Sequence, residues 1–481
     1  MSNYKTVFFT LGVLLIVLGF SMLVPITIQL IYNEFNSTFI ISSIITITFG
    51  ALFFLANIDH NRSLSTQQAF LLTALSWIGV AIFGSIPFIF SDLNLSLTDA
   101  FFESMSGITT TGATIINNLS DTPKAILSWR AILQWLGGIG IIVMAITLMP
   151  IMNIGGMQLL KISSGDSSEK ILPKSKQISL RLVLIYFSLT LLCAFFYKIC
   201  GMSFFDSLTH SMTTIATGGF SNYNQSIGFF ESAKIEYVSI VFIILGSIPF
   251  ISYIKFLSGN KKIVFKDEQI KLFFKLIFFS IFILFIYLAI VNKSIFEIQL
   301  RAIIFNVVSI LTGTGYVTKE FDQWGNFPLI FFLLLMFIGG CAGSTTCGIK
   351  VFRVHMLYFF LKNQLLKIIY PRAIINLKYN NDIVQDKLIA SIISFIYLYI
   401  IIFFVISALL TLTGLNFITA VSGAASSISN VGPGLGNEIG PNSNYASLPS
   451  ASKWILSTGM ILGRLEIFAI LVIFLPSFWR N

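Results

Sequence analysis

The sequence predicts an all-α polytopic membrane protein: four pseudo-repeated M1–P–M2 units (helix, re-entrant segment, helix) around a central pore, after a two-helix N-terminal hairpin. Three observations predict it. Charged residues are too few for a soluble body, about ten apolar stretches reach spanning length, and one Ser/Thr/Gly loop recurs four times.

Of 481 residues, 10% are charged and 56% apolar, with 49 Phe; mean hydropathy is +0.87. A soluble domain carries about 25% charged residues, so a cytosolic enzyme is excluded and much of the surface meets membrane lipid. Cys193, Cys200, Cys341 and Cys347 lie in or beside apolar stretches, and only three histidines exist. That pattern supports neither a disulfide framework nor a zinc site.

The first apolar run, 7–32, exceeds the roughly 7–15 residues of a signal-peptide core, and no A-x-A pattern follows. It reads as a retained helix adjusted at Pro25. A second span, 38–56, returns after the link 33–37 and completes a hairpin over 1–66. Eight further spans lie near 69–90, 127–152, 178–197, 235–257, 270–291, 328–351, 388–413 and 454–475. Each is close to the roughly 20 residues a spanning helix needs. They pair into repeats over 67–153, 154–258, 259–370 and 371–481.

The links between spans alternate in character. Three are basic (153–177, 255–271 and 350–387), with four, five and seven Lys/Arg, 16 in all. The others (91–126, 198–234, 292–327 and 414–453) are rich in Ser, Thr and Gly, and their side holds eight Lys/Arg against 12 of the 20 acids. Lys and Arg gather in cytoplasmic loops. The basic links and the N-terminus are therefore expected inside and the glycine loops outside. The net charge of +10 is then a topology signal, not a nucleic-acid footprint.

The glycine loops read Thr109-Thr110-Thr111-Gly112, Ile215-Ala216-Thr217-Gly218, Thr312-Gly313-Thr314-Gly315 and Ser429-Asn430-Val431-Gly432, with glycine spacings of 106, 97 and 117. Non-helical backbone at membrane depth survives only inside protein or along a watery cavity. One such small-residue motif would be read as close helix packing. Four in register favour rings of carbonyl oxygens that replace a cation's hydration shell. The expected ion-binding positions are Thr110, Thr111, Gly112, Ala216, Thr217, Gly218, Gly313, Thr314, Gly315, Asn430, Val431 and Gly432.

Three more features bear on mechanism. The run 339–350 is too rich in glycine to stay helical, so Gly339, Gly340, Gly343, Ser344, Thr345, Thr346, Gly348 and Lys350 are expected in an unwound loop, a gate, with tight helix crossing as the competing reading. Arg464 lies inside an apolar span, where a guanidinium marks a functional site by default; the competing reading is a structural ion pair. Asp99 and Glu103, four apart, and Asp206 either concentrate cations at the mouth or cap their helices. Glu466 is expected to pair with a neighbour and His210 to be a hydrogen-bonded structural residue. No GxxxxGK[ST], GxGxxG or Ser/His/Asp signature occurs, so an enzyme is not expected.

TTTGAT 109–114, IATGGFS 215–221, TGTGYVT 312–318, SNVGPGLG 429–436, GGCAGSTTCGIK 339–350, LGRLEIF 462–468 and WLGGIGIIV 135–143 together resemble the Trk/Ktr/HKT superfamily of potassium transporters. The two extra N-terminal helices resemble its TrkH type. The resemblance implies a K+ uptake subunit of the bacterial inner membrane, a homodimer, and a cytosolic TrkA-like nucleotide-binding ring that controls the gate. It implies that Gly112, Gly218, Gly315 and Gly432 match the filter glycines, Gly339–Gly348 the gate loop, and Arg464 the arginine facing it. Cys347 departs from a position more often Gly, and Pro433 breaks the fourfold symmetry. One glycine turn per repeat implies moderate selectivity for K+ over Na+. No organic cofactor is expected, and the alternative is a sodium- or proton-coupled potassium symporter.

Overall fold

The computed structural model describes residues 4–59, 64–147, 171–259, 266–292, 297–372, 377–380 and 382–480. The first basic link lies outside these residues up to position 170, as do 260–265 and 373–376 of the other two links.

The hairpin comprises α1 (Lys5–Ser21), α2 (Leu23–Tyr32) and α3 (Thr38–Ala56). The join at Met22 lies just before Pro25, whose missing N–H leaves the carbonyl four residues back without a helical partner. Repeat one is α4 (Thr66–Ile89), α5 (Leu97–Ile108) and α6 (Lys124–Thr147). Repeat two is α7 (Ile171–Ile199), α8 (Phe204–Ile215), α9 (Ala233–Ser247) and α10 (Phe250–Leu257). Repeat three is α11 (Glu268–Asn292), α12 (Glu297–Leu311) and α13 (Asn326–Phe337), followed by α14 (Val351–Ile369) and a small hairpin, β1 (Lys378–Tyr379) with β2 (Asp382–Ile383). Repeat four is α15 (Asp386–Leu412), α16 (Phe417–Ser429), α17 (Ser450–Arg464) and α18 (Ile467–Leu471).

Among the described residues, seven helices are long and apolar enough to cross a membrane, and two bent pairs raise the number to nine. The tenth expected span, 328–351, is instead a half-span: α13 stops at Phe337, Ile338 is extended, and Gly339-Gly340 follow. The bent pairs break for local reasons. Between α9 and α10 the axis turns by 89°, where Pro249 pushes Ile248 into an extended conformation. Between α17 and α18 it turns by 109° at Glu466, which has φ +59°. The apolar windows of α7 and α11 are only 22% buried, as expected of faces that meet lipid rather than water.

The short helices α5, α8 and α16 begin alike. Ser96 Oγ accepts from Asp99 N (3.1 Å), Ser203 Oγ from Asp206 N (3.0 Å) and Asn416 Oδ1 from Thr419 N (2.9 Å). Each cap satisfies an orphan donor of the first turn. At their other ends α5, α8, α12 and α16 run into the four glycine loops. The negative ends of four helix dipoles therefore converge there, which favours a cation.

Candidate functional site

The loops share one backbone pattern: a left-handed residue, one ordinary residue, then a left-handed glycine. The pairs are Thr110 (φ +52°) and Gly112 (+90°), Thr217 (+50°) and Gly219 (+78°), Gly313 (+71°) and Gly315 (+81°), and Asn430 (+53°) and Gly432 (+105°). Three of the four first positions are not glycine, and such strain concentrates at functional sites. The pattern corrects the expected register in repeat two. Gly219, not Gly218, stands level with Gly112, Gly315 and Gly432, and Gly218 is level with Thr111, Thr314 and Val431. The hydrogen bonds agree: Thr111 N, Gly218 N, Thr314 N and Val431 N each reach back to the preceding helix, to Ser106, Thr213, Ser309 and Ser426. Two adjacent glycines carry no local signal for which one turns left-handed.

The glycines close a ring. A side chain on Gly112 would strike the carbonyl oxygen of Gly218, on Gly219 that of Thr314, and on Gly315 that of Val431, and on Gly432 it would lie 2.7 Å from that of Thr111. Repeat one thus touches two, two touches three, three touches four, and four touches one. All four glycines line one cavity of about 80 Å³. The backbone oxygens of Thr110, Thr111, Thr217, Gly313, Thr314, Asn430 and Val431 accept no hydrogen bond from the described residues, although six of these seven residues are at most 1% exposed. Buried carbonyls are ordinarily paired, so this cluster around one axis leaves a set of oxygen lone pairs without a protein partner.

Polar side chains brace the ring. Glu103 accepts from Arg130 Nε (2.7 Å), Ile115 N (2.9 Å) and Thr114 Oγ1 (3.0 Å), and Arg130 Nη1 donates to Ser221 O (2.8 Å), tying loop one to loop two. Gln134 Nε2 donates to Gly218 O (2.6 Å) and its Oε1 accepts from Phe220 N (3.0 Å). Tyr445 OH donates to Gly432 O (2.8 Å). Of the acids expected near the mouth, Glu103 is therefore spent on Arg130. Asp99 takes part in its helix cap and pairs with Lys453 (2.6 Å), and Asp206 takes part in its cap and accepts from Asn222 (2.8 Å). His210 bonds Asp206 O (2.9 Å) and Ser221 Oγ (3.0 Å), as expected of a structural residue. Sequence reasoning missed the bracing roles of Arg130, Gln134 and Tyr445; an arginine inside a span was the available signal for the first.

Below the ring lies the interrupted helix. Gly339 N donates to Ile349 O and Ile349 N to Phe337 O, each at 2.9 Å, which pinches 338–349 into a closed loop. Its tip enters the α9–α10 break: Cys341 N donates to Ser247 O (3.1 Å) and Phe250 N to Gly343 O (2.9 Å). Thr345 Oγ1 bonds Gly246 O (3.0 Å), Ile215 O and Thr217 Oγ1 (each 3.1 Å), touching the base of loop two. Lys350 Nζ donates to Thr346 O. Arg464, 2% exposed, crosses to this loop from α17. Its Nη1 reaches Thr345 O (3.1 Å) and Cys347 Sγ (2.6 Å), and its Nη2 reaches Gly137 O (2.9 Å) on α6. Glu466 pairs with Arg353 instead (2.7 Å). The expected loop residues 339–350 and Arg464 are thus brought together directly under the ring.

A family model described as "TrkH: Cation transport protein" matches residues 36–480. The Trk system potassium uptake protein TrkI of Halomonas elongata is 38% identical over 473 residues, 98% of this chain and 96% of that protein. The Trk system potassium uptake protein TrkH of Escherichia coli (strain K12) is 34% identical over 489 residues, the whole of both chains. The crystal structure of the potassium transporter TrkH from Vibrio parahaemolyticus superimposes with a TM-score of 0.90 at 33% identity, over 99% of this chain and 100% of that one. The chain, with four loops closed around one axis in a polytopic helical fold, belongs to the TrkH family of cation transport proteins.

Proposed function

We propose that this chain takes up K+ through the four-loop ring, which acts as a selectivity filter, and that the 339–350 loop gates the path beneath it. The ring of unpaired buried carbonyls carries this reading, since such oxygens replace the water shell a cation sheds on entry. The flanking dipole ends add a favourable potential. The Trk system names of the relatives support potassium as the ion. The proposal includes the bacterial inner membrane, the glycine loops outside and the N-terminus inside, a homodimer, and control by a cytosolic TrkA-like nucleotide-binding ring on the basic side. The symport alternative needs an acid free to load a coupling ion. Glu466, the one acid expected deep in a span, is engaged by Arg353, which supports the uncoupled reading.

Rubidium uptake in cells stripped of their own potassium uptake systems tests this. Expression of the chain restores uptake, and uptake no higher than in empty cells would sink the proposal. In the same assay Arg464→Ala raises basal flux about tenfold or more, because charge-assisted hydrogen bonds holding the loop contribute about 1.5–3 kcal/mol each. Flux equal to or below wild type would return Arg464 to a packing role. Gln134→Leu frees the Gly218 carbonyl and orphans Phe220 N. The expected result is a change of about fivefold in the rubidium-to-sodium uptake ratio, the equivalent of about 1 kcal/mol of net hydrogen bonding. An unchanged ratio would mean that Gly218 does not contribute to selectivity.

A further inference from the structure

We propose a second cation site, remote from the ring, that takes a hydrated divalent cation. A cavity of about 310 Å³ lies between residues 33–38 of the hairpin, the segment just after α4, and the start of α6. Gln29 is the observation that points to a ligand. It lines this cavity and is 4% exposed, and its amide oxygen Oε1 is buried without a hydrogen-bond partner. Leaving such a group unsatisfied costs about 1–3 kcal/mol, a cost that a bound cation offsets.

Two carboxylates line the same space. Glu34 accepts the backbone N–H of Lys124 through Oε2, and Asp92 accepts Asn36 Nδ2 through Oδ2, each at 2.9 Å. Glu34 Oε1 and Asp92 Oδ1 accept no hydrogen bond from the described residues and remain for a ligand. No basic side chain lines the cavity among the described residues. The adjacent Lys124 is turned away, its ammonium 3.6 Å from the centroid of the Tyr32 ring, a cation–π contact. Helix α2 ends at Tyr32 and residues 33 and 34 line the cavity, so the negative end of its dipole adjoins the site.

The donor set decides the class of ion. Carboxylate and amide oxygens without nitrogen or sulfur select hard cations, and two negative charges balance a divalent one. The cavity is far larger than a bare ion. At about 30 Å³ per water it accommodates an ion that keeps most of its hydration, as Mg²⁺ prefers. The site does not depend on reading the ring as a filter.

Mn²⁺ binding to the purified full-length protein, followed by electron paramagnetic resonance in potassium chloride, tests the proposal. The expected result is one saturable site per chain, displaced by Mg²⁺ or Ca²⁺. The pair Glu34→Gln with Asp92→Asn, and separately Gln29→Leu, weakens binding by about tenfold or more, at least the loss seen when supporting shells of metal sites are removed. Asp121→Asn, an acid on the same side outside the cavity, leaves binding unchanged. Absence of saturable binding, binding intact in the Glu34/Asp92 pair, or an equal loss in Asp121→Asn would each overturn the site. Displacement by added potassium as readily as by magnesium would overturn its divalent class. Should the double variant fail to fold, Gln29→Leu reads the same quantity.

Discussion

Gly315→Ala will lower rubidium uptake by about tenfold to a hundredfold at equal expression. Gly315 has φ +81°, and a methyl group there meets the carbonyl oxygen of Val431 and lies 2.9 Å from Pro433 Cδ. Neither neighbour is the end of a flexible side chain. The backbone must leave its left-handed conformation or push repeat four outward, at a cost of about 1–3 kcal/mol, and the displaced oxygen is one of the unpaired set. Gly201→Ala is the control. Gly201 is also left-handed, at φ +109°, but an added methyl meets nothing within 4 Å. It carries strain without a clash, so uptake should stay within about twofold of wild type, the equivalent of under 0.5 kcal/mol. Equal losses in the two variants would assign the effect to folding strain and remove the case for a close-packed ring.

Arg130→Met will destabilise the protein by about 3–5 kcal/mol, the cost of stranding one partner of a buried ion pair. Arg130 and Glu103 are 2% and 0% exposed at their side chains, and no other cation pairs with Glu103 among the described residues. The substitution leaves the carboxylate buried and frees Ser221 O, so the tie that Arg130 makes between loops one and two is lost. The double variant Glu103→Met/Arg130→Met recovers most of the loss, because two apolar side chains replace the pair without a buried charge. Thermal unfolding of the purified protein reads both. A double variant no more stable than the single one would mean that the network acts through Thr114 and Ile115 rather than through the charge on Glu103.

Much of the fold was legible in the sequence because its signals are local. Apolar runs of spanning length and basic links each act within a few positions of themselves. The half-span at 339–350 was only partly legible. Its glycines announced a break, yet the run around it still read as one span, because hydropathy does not register the loss of helical hydrogen bonds. The run 235–257 likewise read as one span, although it bends by 89° between α9 and α10 at Pro249. Glu466, at φ +59°, carried no local signal.

The site divided along the same line. Sequence by itself determined that four loops of one kind exist, that an interrupted helix follows the third, and that an arginine sits where only function or a partner justifies its cost. Tertiary structure alone decided that the loops close in order around one axis, that Gly219 rather than Gly218 holds the register, and that Glu103 is spent on Arg130. It alone also brought Gln29, Glu34 and Asp92 to one cavity. The reason is physical. A loop's composition sets which backbone angles are affordable to it, but its partner is set by the packing of helices some hundred residues apart, and no local pattern encodes that distance.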